Sequence, residues 1–189
     1  MKKKTWIVLG TVVAVIVIIV ALIAGTYNSL VTLQTTVEEK QSTIQVDLQR
    51  RADLIPNFVA SVKGYTEYEQ STLQAVTEAR AAVGKATSAG EQAAANERLD
   101  GAIDIWVNAV TEAYPELKAS AQFIALQDEL AGTENRIGVS RKDYNTAAKE
   151  YNAAIRKFPK SLFANMFGFE KVDFFEASEG AEQVPSVSF

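Results

Sequence analysis

An apolar run without charges stands near the start of the chain, and helical periodicity fills most of the remainder. The run covers 19 residues, from Trp6 to Ala24, close to the roughly 20 that a helix needs to cross the hydrocarbon core of a bilayer. Lys2, Lys3 and Lys4 precede it. Because basic residues beside a span remain in the cytoplasm, the pattern predicts a single transmembrane helix with a cytoplasmic N-terminus and the rest of the chain outside.

A cleaved signal peptide is the alternative to an anchor. Its apolar region is usually about 7 to 15 residues long and ends in small residues at the cleavage site. The sequence from Leu22 to Gly25 places a large residue at one of those positions, and Thr26 stands where a lipoprotein signal has its cysteine. We therefore predict that the segment is not cleaved.

The stretch DLQRRADLIPNF, from Asp47 to Phe58, decides how the next helices are arranged. One apolar stripe precedes it, and a second stripe runs from Ile55 to Val83 with almost unbroken phase. A straight helix from Tyr27 to Val83 would be about 85 Å long, whereas a reversal at residues 51–56 gives helices of about 36 and 45 Å. The shorter pair matches the fourth helix better, so we favour a hairpin there over a kinked continuous helix.

The polar residues of this stretch have local roles in the hairpin. An aspartate can cap the second helix, and the proline then falls in the first turn, where its missing amide costs nothing. Arg51 also lies on the apolar stripe, so its head group needs a carboxylate or carbonyl partner; candidates near the other predicted turn are Glu129 and Glu134. We predict a structural turn and polar clamp made of Asp47, Arg50, Arg51, Asp53 and Pro56.

A third helix is predicted to begin after Ser88. Ser88 and Glu91, three residues later, form a capping-box pattern in which each side chain pairs with a free amide of the other. The apolar stripe continues to Gly132, where we expect the helix to end. Pro115 lies inside it and cannot donate a backbone hydrogen bond, so a bend or break near Tyr114 is expected.

The fourth helix is predicted from Thr133 to Phe158, with Pro159 stopping it. Tyr144 and Tyr151 lie one heptad apart, and each is followed by asparagine. We interpret the two tyrosines as core aromatic residues of this helix.

Phenylalanines crowd the segment after Pro159. Ser161 is expected to cap a short helix that Gly168 closes. In an antiparallel bundle this segment returns to the bilayer, whereas beyond a continuous first helix it would project away from it. In the first arrangement, its predicted membrane-interface residues are Leu162, Phe163, Met166, Phe167 and Phe169.

The last dozen residues have the composition of an extended tail. The chain closes with Val187, Ser188 and Phe189, an apolar-any-apolar form that PDZ domains accept by strand addition. Val187 and Phe189 are therefore candidate docking residues.

Composition argues against an enzyme. The chain has no cysteine and no histidine, which removes the thiolate nucleophile and the commonest general base and metal ligand. Carboxylates such as Asp47 and Asp53 remain, but no nucleophile, base or phosphate-binding loop accompanies them. We predict no enzymatic activity, no cofactor and no metal site, and keep a carboxylate-based envelope enzyme as the weakest alternative.

The net charge of the chain argues against one class of binding partner. The 19 basic residues include the three lysines before the apolar run, and all 23 acidic residues follow it, so the predicted exported part has a formal charge of −7. Binding to nucleic acid depends on neutralising phosphates. We therefore predict no nucleic-acid partner.

A set of short motifs, taken in order, resembles the LemA family of bacterial membrane proteins. They are YNSLV, RRADLIPNFV, VKGY, EAR, AYPELKAS, ENRIGVSRKDYN, YNAAIRKFP and FGF, and they cover nearly the whole chain after the apolar run. Phe58 stands where that family more often has leucine. The resemblance implies an N-terminal anchor and an exported antiparallel four-helix bundle, and it implies no catalytic residue or ligand. It also implies a link to the shaping or organising of membranes.

The predicted architecture is all-α: a transmembrane helix, an antiparallel up-and-down four-helix bundle, a short aromatic C-terminal helix and an extended tail. The predicted segments are residues 1–25 for the lysines and anchor, 26–158 for the bundle, 159–176 for the aromatic amphipathic segment and 177–189 for the flexible tail.

The functional hypothesis is a non-enzymatic scaffold of the bacterial cell envelope. An amphipathic coiled-coil bundle on a fixed anchor is confined to a membrane, which raises its effective concentration. We therefore expect a homo-oligomer in contact with membrane lipid, with an envelope protein as a further partner. Polar Gln34 and Gln41 on the first apolar stripe motivate this hypothesis. The alternative is a membrane-binding or membrane-remodelling protein that acts through residues 162–175.

Overall fold

The structure, a computed structural model, describes residues 2–62 and 70–176. Its helices are α1 (Lys2–Val62), α2 (Gln70–Val83), α3 (Ala89–Ala113), α4 (Ala121–Arg156) and α5 (Lys160–Phe167), with a 3-10 turn at Pro115–Ala119. No strand occurs among the described residues. The predicted all-helical class is confirmed for this part of the chain; the predicted tail with Val187 and Phe189 lies outside it.

The chain divides into two compact units. The first consists of the described residues within Met1–Glu39 together with Thr146–Val172, and the second of those within Lys40–Asn145 and Asp173–Phe189. The first unit therefore contains the apolar run and α5, and the second contains most of the helical contacts described below.

α1 has the properties of a membrane-spanning helix in its first part. From Trp6 onward it is long and apolar enough to cross a bilayer, with a mean hydropathy of 3.3 in its most apolar window. None of that window is buried inside the protein. A core helix of a water-soluble domain would bury such a surface, whereas a span leaves it to lipid.

The predicted reversal at residues 51–56 is wrong. α1 continues to Val62 with Pro56 inside it, and Asp53 lies within the helix, where its Oδ1 accepts a hydrogen bond from Gln49 Nε2 at 2.8 Å. Asp53 is therefore not an N-cap. The comparison of predicted helix lengths favoured the hairpin because the fourth helix was predicted too short. α4 has 36 residues, so the long first helix is matched by a second long helix.

Pro56 is accommodated by a side chain from the next helix. A proline inside a helix leaves the carbonyl four residues earlier without its amide donor, and here that carbonyl belongs to Ala52. Arg80 of α2 donates from Nε to the Ala52 carbonyl at 2.8 Å. The buried stripe of α1 thus crosses the proline without a change of phase.

Contacts in the second unit give the directions of its helices. Arg80 of α2 meets Ala52, and beyond α2 the carbonyl of Thr87 accepts from Gln41 Nε2 at 2.9 Å. Later residues of the second unit therefore meet earlier parts of α1. The Phe58 ring lies 5.2 Å from the rings of both Trp106 in α3 and Phe123 in α4.

The third and fourth helices divide at Pro115. The Ser88 capping box is confirmed, since Ser88 Oγ accepts from the amide of Glu91 and the Glu91 carboxylate accepts from the amide of Ser88. The predicted end at Gly132 is wrong, because α4 passes through it. Thr133 does not start a helix; its hydroxyl donates to the carbonyl of Leu130 at 2.7 Å within α4.

The short helix α5 begins and ends close to where the sequence predicted. Gly168 closes it in the left-handed conformation, with φ of 74°, which glycine adopts without a steric penalty. Ser161 lies inside the helix and Pro159 occupies the position before it. The prediction of Ser161 as the cap is therefore wrong.

Candidate functional site

A buried arginine forms the centre of the densest polar cluster. Arg51 is 5% exposed, and its guanidinium contacts the carboxylates of Asp100 and Glu134 as well as Asn96 Oδ1 at 3.1 Å. The cluster joins α1 to α3 and α4. Two carboxylates therefore share one guanidinium.

The pKa of Asp100 is shifted mainly by burial. Burial raises its pKa from 3.8 to about 6, although the positive charge of Arg51 opposes this shift and the nearby Glu134 carboxylate adds to it. Asn96 Nδ2 donates to Asp100 Oδ2 at 2.9 Å. The carboxyl group is thus poised to bind a proton in mildly acidic conditions.

The remaining residues of the predicted clamp lie around this centre. Arg50 Nη2 is 3.2 Å from Glu129 Oε1, in an exposed ion pair that Arg136 shares. Ser140 donates to Asp47 Oδ2 at 2.6 Å. No cluster of metal-binding side chains exists within residues 2–62 and 70–176.

Sequence reasoning missed the contribution of α3 to this cluster. Asn96 is buried on the stripe that also contains Gln92, Leu99 and Ile103, and Asp100 lies one turn after Asn96. The sequence does contain a signal for this contribution, because polar residues recur at helical spacing on the apolar stripe of α3.

A second set of contacts holds the chain that follows α5. In the first unit, Asn152 donates to the carbonyl of Val172 at 2.8 Å and accepts from its amide at 3.0 Å. In the second unit, Asn145 donates to the carbonyl of Phe175 at 2.8 Å and accepts from its amide at 2.9 Å. Each asparagine therefore pairs both of its amide atoms with the main chain of one residue.

The Tyr-Asn pairs explain the heptad repeat noted in the sequence. Tyr144 and Tyr151 are both buried, with 3% and 1% exposed. Tyr144 also donates to the carbonyl of Asp173 at 2.9 Å, and its ring lies 5.0 Å from that of Phe175. The asparagines, to which the sequence assigned no role, bind the C-terminal segment together with Tyr144.

In the first unit, α5 lies beside the end of the apolar run. The Tyr27 ring is 5.1 Å from the ring of Phe167 and 5.7 Å from that of Phe169, and Lys160 Nζ is 2.8 Å from Ser29 Oγ. A groove lined by Val20, Ile23, Ala24, Tyr27, Asn28 and Phe167 joins the two elements. The expectation that a continuous α1 carries this segment away from the span is therefore wrong.

The predicted interface residues differ in exposure. Leu162 and Met166 are 62% and 63% exposed, and Phe167 is exposed beside Tyr27, whereas Phe163 and Phe169 are half-buried. Phe175 is buried against Tyr144, so the predicted interfacial segment 162–175 ends before it. Outside α5, Phe158 and Phe174 are also exposed, at 80% and 38%.

Together these features define an all-helical protein with one long apolar N-terminal helix and no described cluster suited to metal catalysis. Residues 40–189 match the model of the LemA family, and the chain belongs to that family. It is similar to magnetosome protein MamQ 2 of Paramagnetospirillum magneticum, with 27% identity over 186 residues, 85% of this chain and 68% of the relative. It is also similar to Protein LemA of Metamycoplasma hominis, with 28% identity over 159 residues, 82% of this chain and 71% of the relative.

Proposed function

We propose that this protein is a non-enzymatic, single-pass membrane protein whose exported helices form an up-and-down bundle and act as a scaffold of the cell envelope. One observation carries the proposal: the aromatic contacts of Tyr27 hold α5 beside the end of the apolar run. Family membership and the exposed apolar surface of α1 support membrane attachment. In this scheme the N-terminus is cytoplasmic and α5 lies in the outer interface of the same bilayer.

The exposed side of α5 has the chemistry of an interfacial helix. Leu162 and Met166 are one turn apart and largely exposed. Phe158, just before the helix, is 80% exposed. Apolar side chains of this size are stabilised when they enter the boundary between headgroups and acyl chains.

Basic residues flank this apolar surface. Arg156, Lys157 and Lys171 are exposed, in a predicted exported part whose formal charge is otherwise negative. Cations beside an apolar helix face add attraction to anionic headgroups. The segment therefore combines both contributions that hold an amphipathic helix on a membrane.

The depth of Met166 tests this proposal directly. The chain has no cysteine, so a Met166→Cys variant in lipid nanodiscs can carry one environment-sensitive fluorophore without a background of other thiols. We expect quenching by lipids brominated near the headgroup. The matched control is Glu150→Cys, an exposed position on α4, where quenching should be weak; equal and weak quenching at both positions would contradict the proposal.

Self-association is the second candidate, and exposed apolar residues in the second unit favour it. Val46, Ile105 and Val139 are 65%, 63% and 60% exposed. Confinement to a membrane raises the effective concentration of such surfaces. The earlier motivation from Gln34 and Gln41 is weaker, because Gln34 donates to Glu38 and Gln41 to Thr87 within the chain.

The mass of the full chain in detergent and its cross-linking in cells test self-association. We expect dimers or larger species that decrease when Val139 is replaced by glutamate. Replacing the exposed Lys142 of the same helix by glutamate provides a charge-changing control. A monomer at all concentrations, with no cross-linked species, would reject this candidate and leave an envelope protein as the remaining partner class to identify by copurification.

A further inference from the structure

A groove in the second unit contains a buried side-chain amide whose hydrogen bonds are not made. Gln92, in the first turns of α3, is 1% exposed, and neither its Nε2 nor its Oε1 has a partner among the described residues. Buried amides are almost always paired, because an unpaired one destabilises the folded state. A ligand that supplies both partners would remove this deficit.

The groove has the size and shape for a short stretch of extended chain. One wall is α1 between Ser42 and Asp53, the other is the end of α2 and the corner at 83–87, and the volume is about 680 Å³. The α1 wall is about 16 Å long at the helical rise. That length matches about five residues of a β-strand.

The amide of Gln92 offers one donor and one acceptor side by side. In an extended chain, the N–H and C=O of one residue point to the same side, so a single carboxamide can bind both. This protein already uses that arrangement twice, in Asn152 with Val172 and in Asn145 with Phe175. Gln92 has the same carboxamide group, and neither its Nε2 nor its Oε1 is hydrogen-bonded to a described residue.

The charges around the groove favour a neutral ligand. Its charged lining residues are Arg50 and Asp53, of opposite sign, and its polar lining on α1 includes Ser42, Gln45 and Gln49. We propose that the groove binds an extended peptide segment of another protein, and that Gln92 pairs with the amide and carbonyl of one of its residues. This site is independent of the membrane role proposed above.

Saturation-transfer NMR with the full chain in lipid nanodiscs tests the site. The probe is the blocked peptide acetyl-Ala-Thr-Ala-Thr-Ala-amide, whose threonines favour an extended backbone. We expect transfer to this peptide, loss of transfer with a fully N-methylated analogue, and loss with Gln92→Met, which keeps the length of the side chain but cannot form the pair. Gln122→Met, at an exposed position of α4, should leave transfer unchanged.

Two further measurements separate binding from a structural role of Gln92. The Gln92→Met variant should have a higher Tm than the parent, because it removes an unpaired buried amide; a lower Tm would mean that the amide already has a stabilising partner and would overturn the proposal. Gln45→Trp, at an exposed position of the α1 wall, should also block the peptide while the protein stays folded. Transfer that survives either variant, or no transfer to the unmodified peptide, would equally overturn it.

Discussion

Arg51 places a guanidinium at a position that is 5% exposed. Such a charge is tolerated only when carboxylates and hydrogen-bond acceptors surround it, and Asp100, Glu134 and Asn96 do so. The sequence allowed the need for a partner to be predicted, because Arg51 lies on an apolar stripe. It did not allow the partner on α3 to be predicted, since that depends on how the helices pack.

Replacing Arg51 with leucine should destabilise the protein by about 3 kcal/mol, because Asp100 and Glu134 would then lose the guanidinium that both contact. Chemical denaturation, read from the midpoint at constant slope, measures the change. Arg50→Leu is the matched control: its ion pair is exposed, so the loss should be below about 1 kcal/mol. Equal effects of the two substitutions would mean that the polar clamp is not structural.

The pKa of Asp100 makes a pH-dependent contribution to stability. Because the pKa is about 6 in the folded state against an ordinary 3.8, the folded protein binds this proton more tightly than the unfolded chain. The contribution to the free energy of unfolding therefore falls as pH rises from about 4 to about 6. Comparing Asp100→Asn with the parent over this interval should show that difference; parallel stability curves would contradict it.

At the level of helices, the sequence predicted correctly the features that depend on interactions between neighbouring residues. The Ser88 capping box and the left-handed Gly168 depend on residues within one turn, and the sequence identified both. The helix ends predicted at residues 51–56 and at Gly132 were wrong, because whether a helix continues there depends on how it packs against other helices. Pro56 continues α1 because Arg80 replaces the missing donor, and nothing near Pro56 in the sequence indicates this.

Pro56 and Arg80 should therefore be energetically coupled. Replacing Arg80 with leucine leaves the Ala52 carbonyl without a donor, but in a Pro56→Ala background the helix amide supplies one. We expect Arg80→Leu to cost about 1 kcal/mol more with proline present than with alanine. A double-mutant cycle by denaturant unfolding measures this coupling, and a coupling near zero would show that the carbonyl does not depend on Arg80.

For the whole chain, the apolar run and the family were predictable from sequence, whereas the position of α5 was not. Charge-free length and ordered motifs are properties of the chain alone. The contact between Tyr27 and Phe167 joins residues far apart in sequence, and no local pattern predicts it. It was expected only with a hairpin at residues 51–56, and it occurs without one.

Membrane orientation can be tested with single cysteines in the cysteine-free chain. In intact cells, Glu150→Cys should react with a membrane-impermeant maleimide, and Lys4→Cys should react only after the membrane is permeabilised, because the lysines before the run hold the N-terminus inside. Labelling is read as a mass shift of the purified chain. The reverse pattern would invert the topology.

The side-chain amides of Asn152 and Asn145 bond only to main-chain atoms of Val172 and Phe175. The side chain at residue 172 can accordingly vary in evolution without breaking the joint, and proline is the exception because it has no amide hydrogen. The attachment therefore depends on the carboxamide groups of the two asparagines and not on the side chain of residue 172.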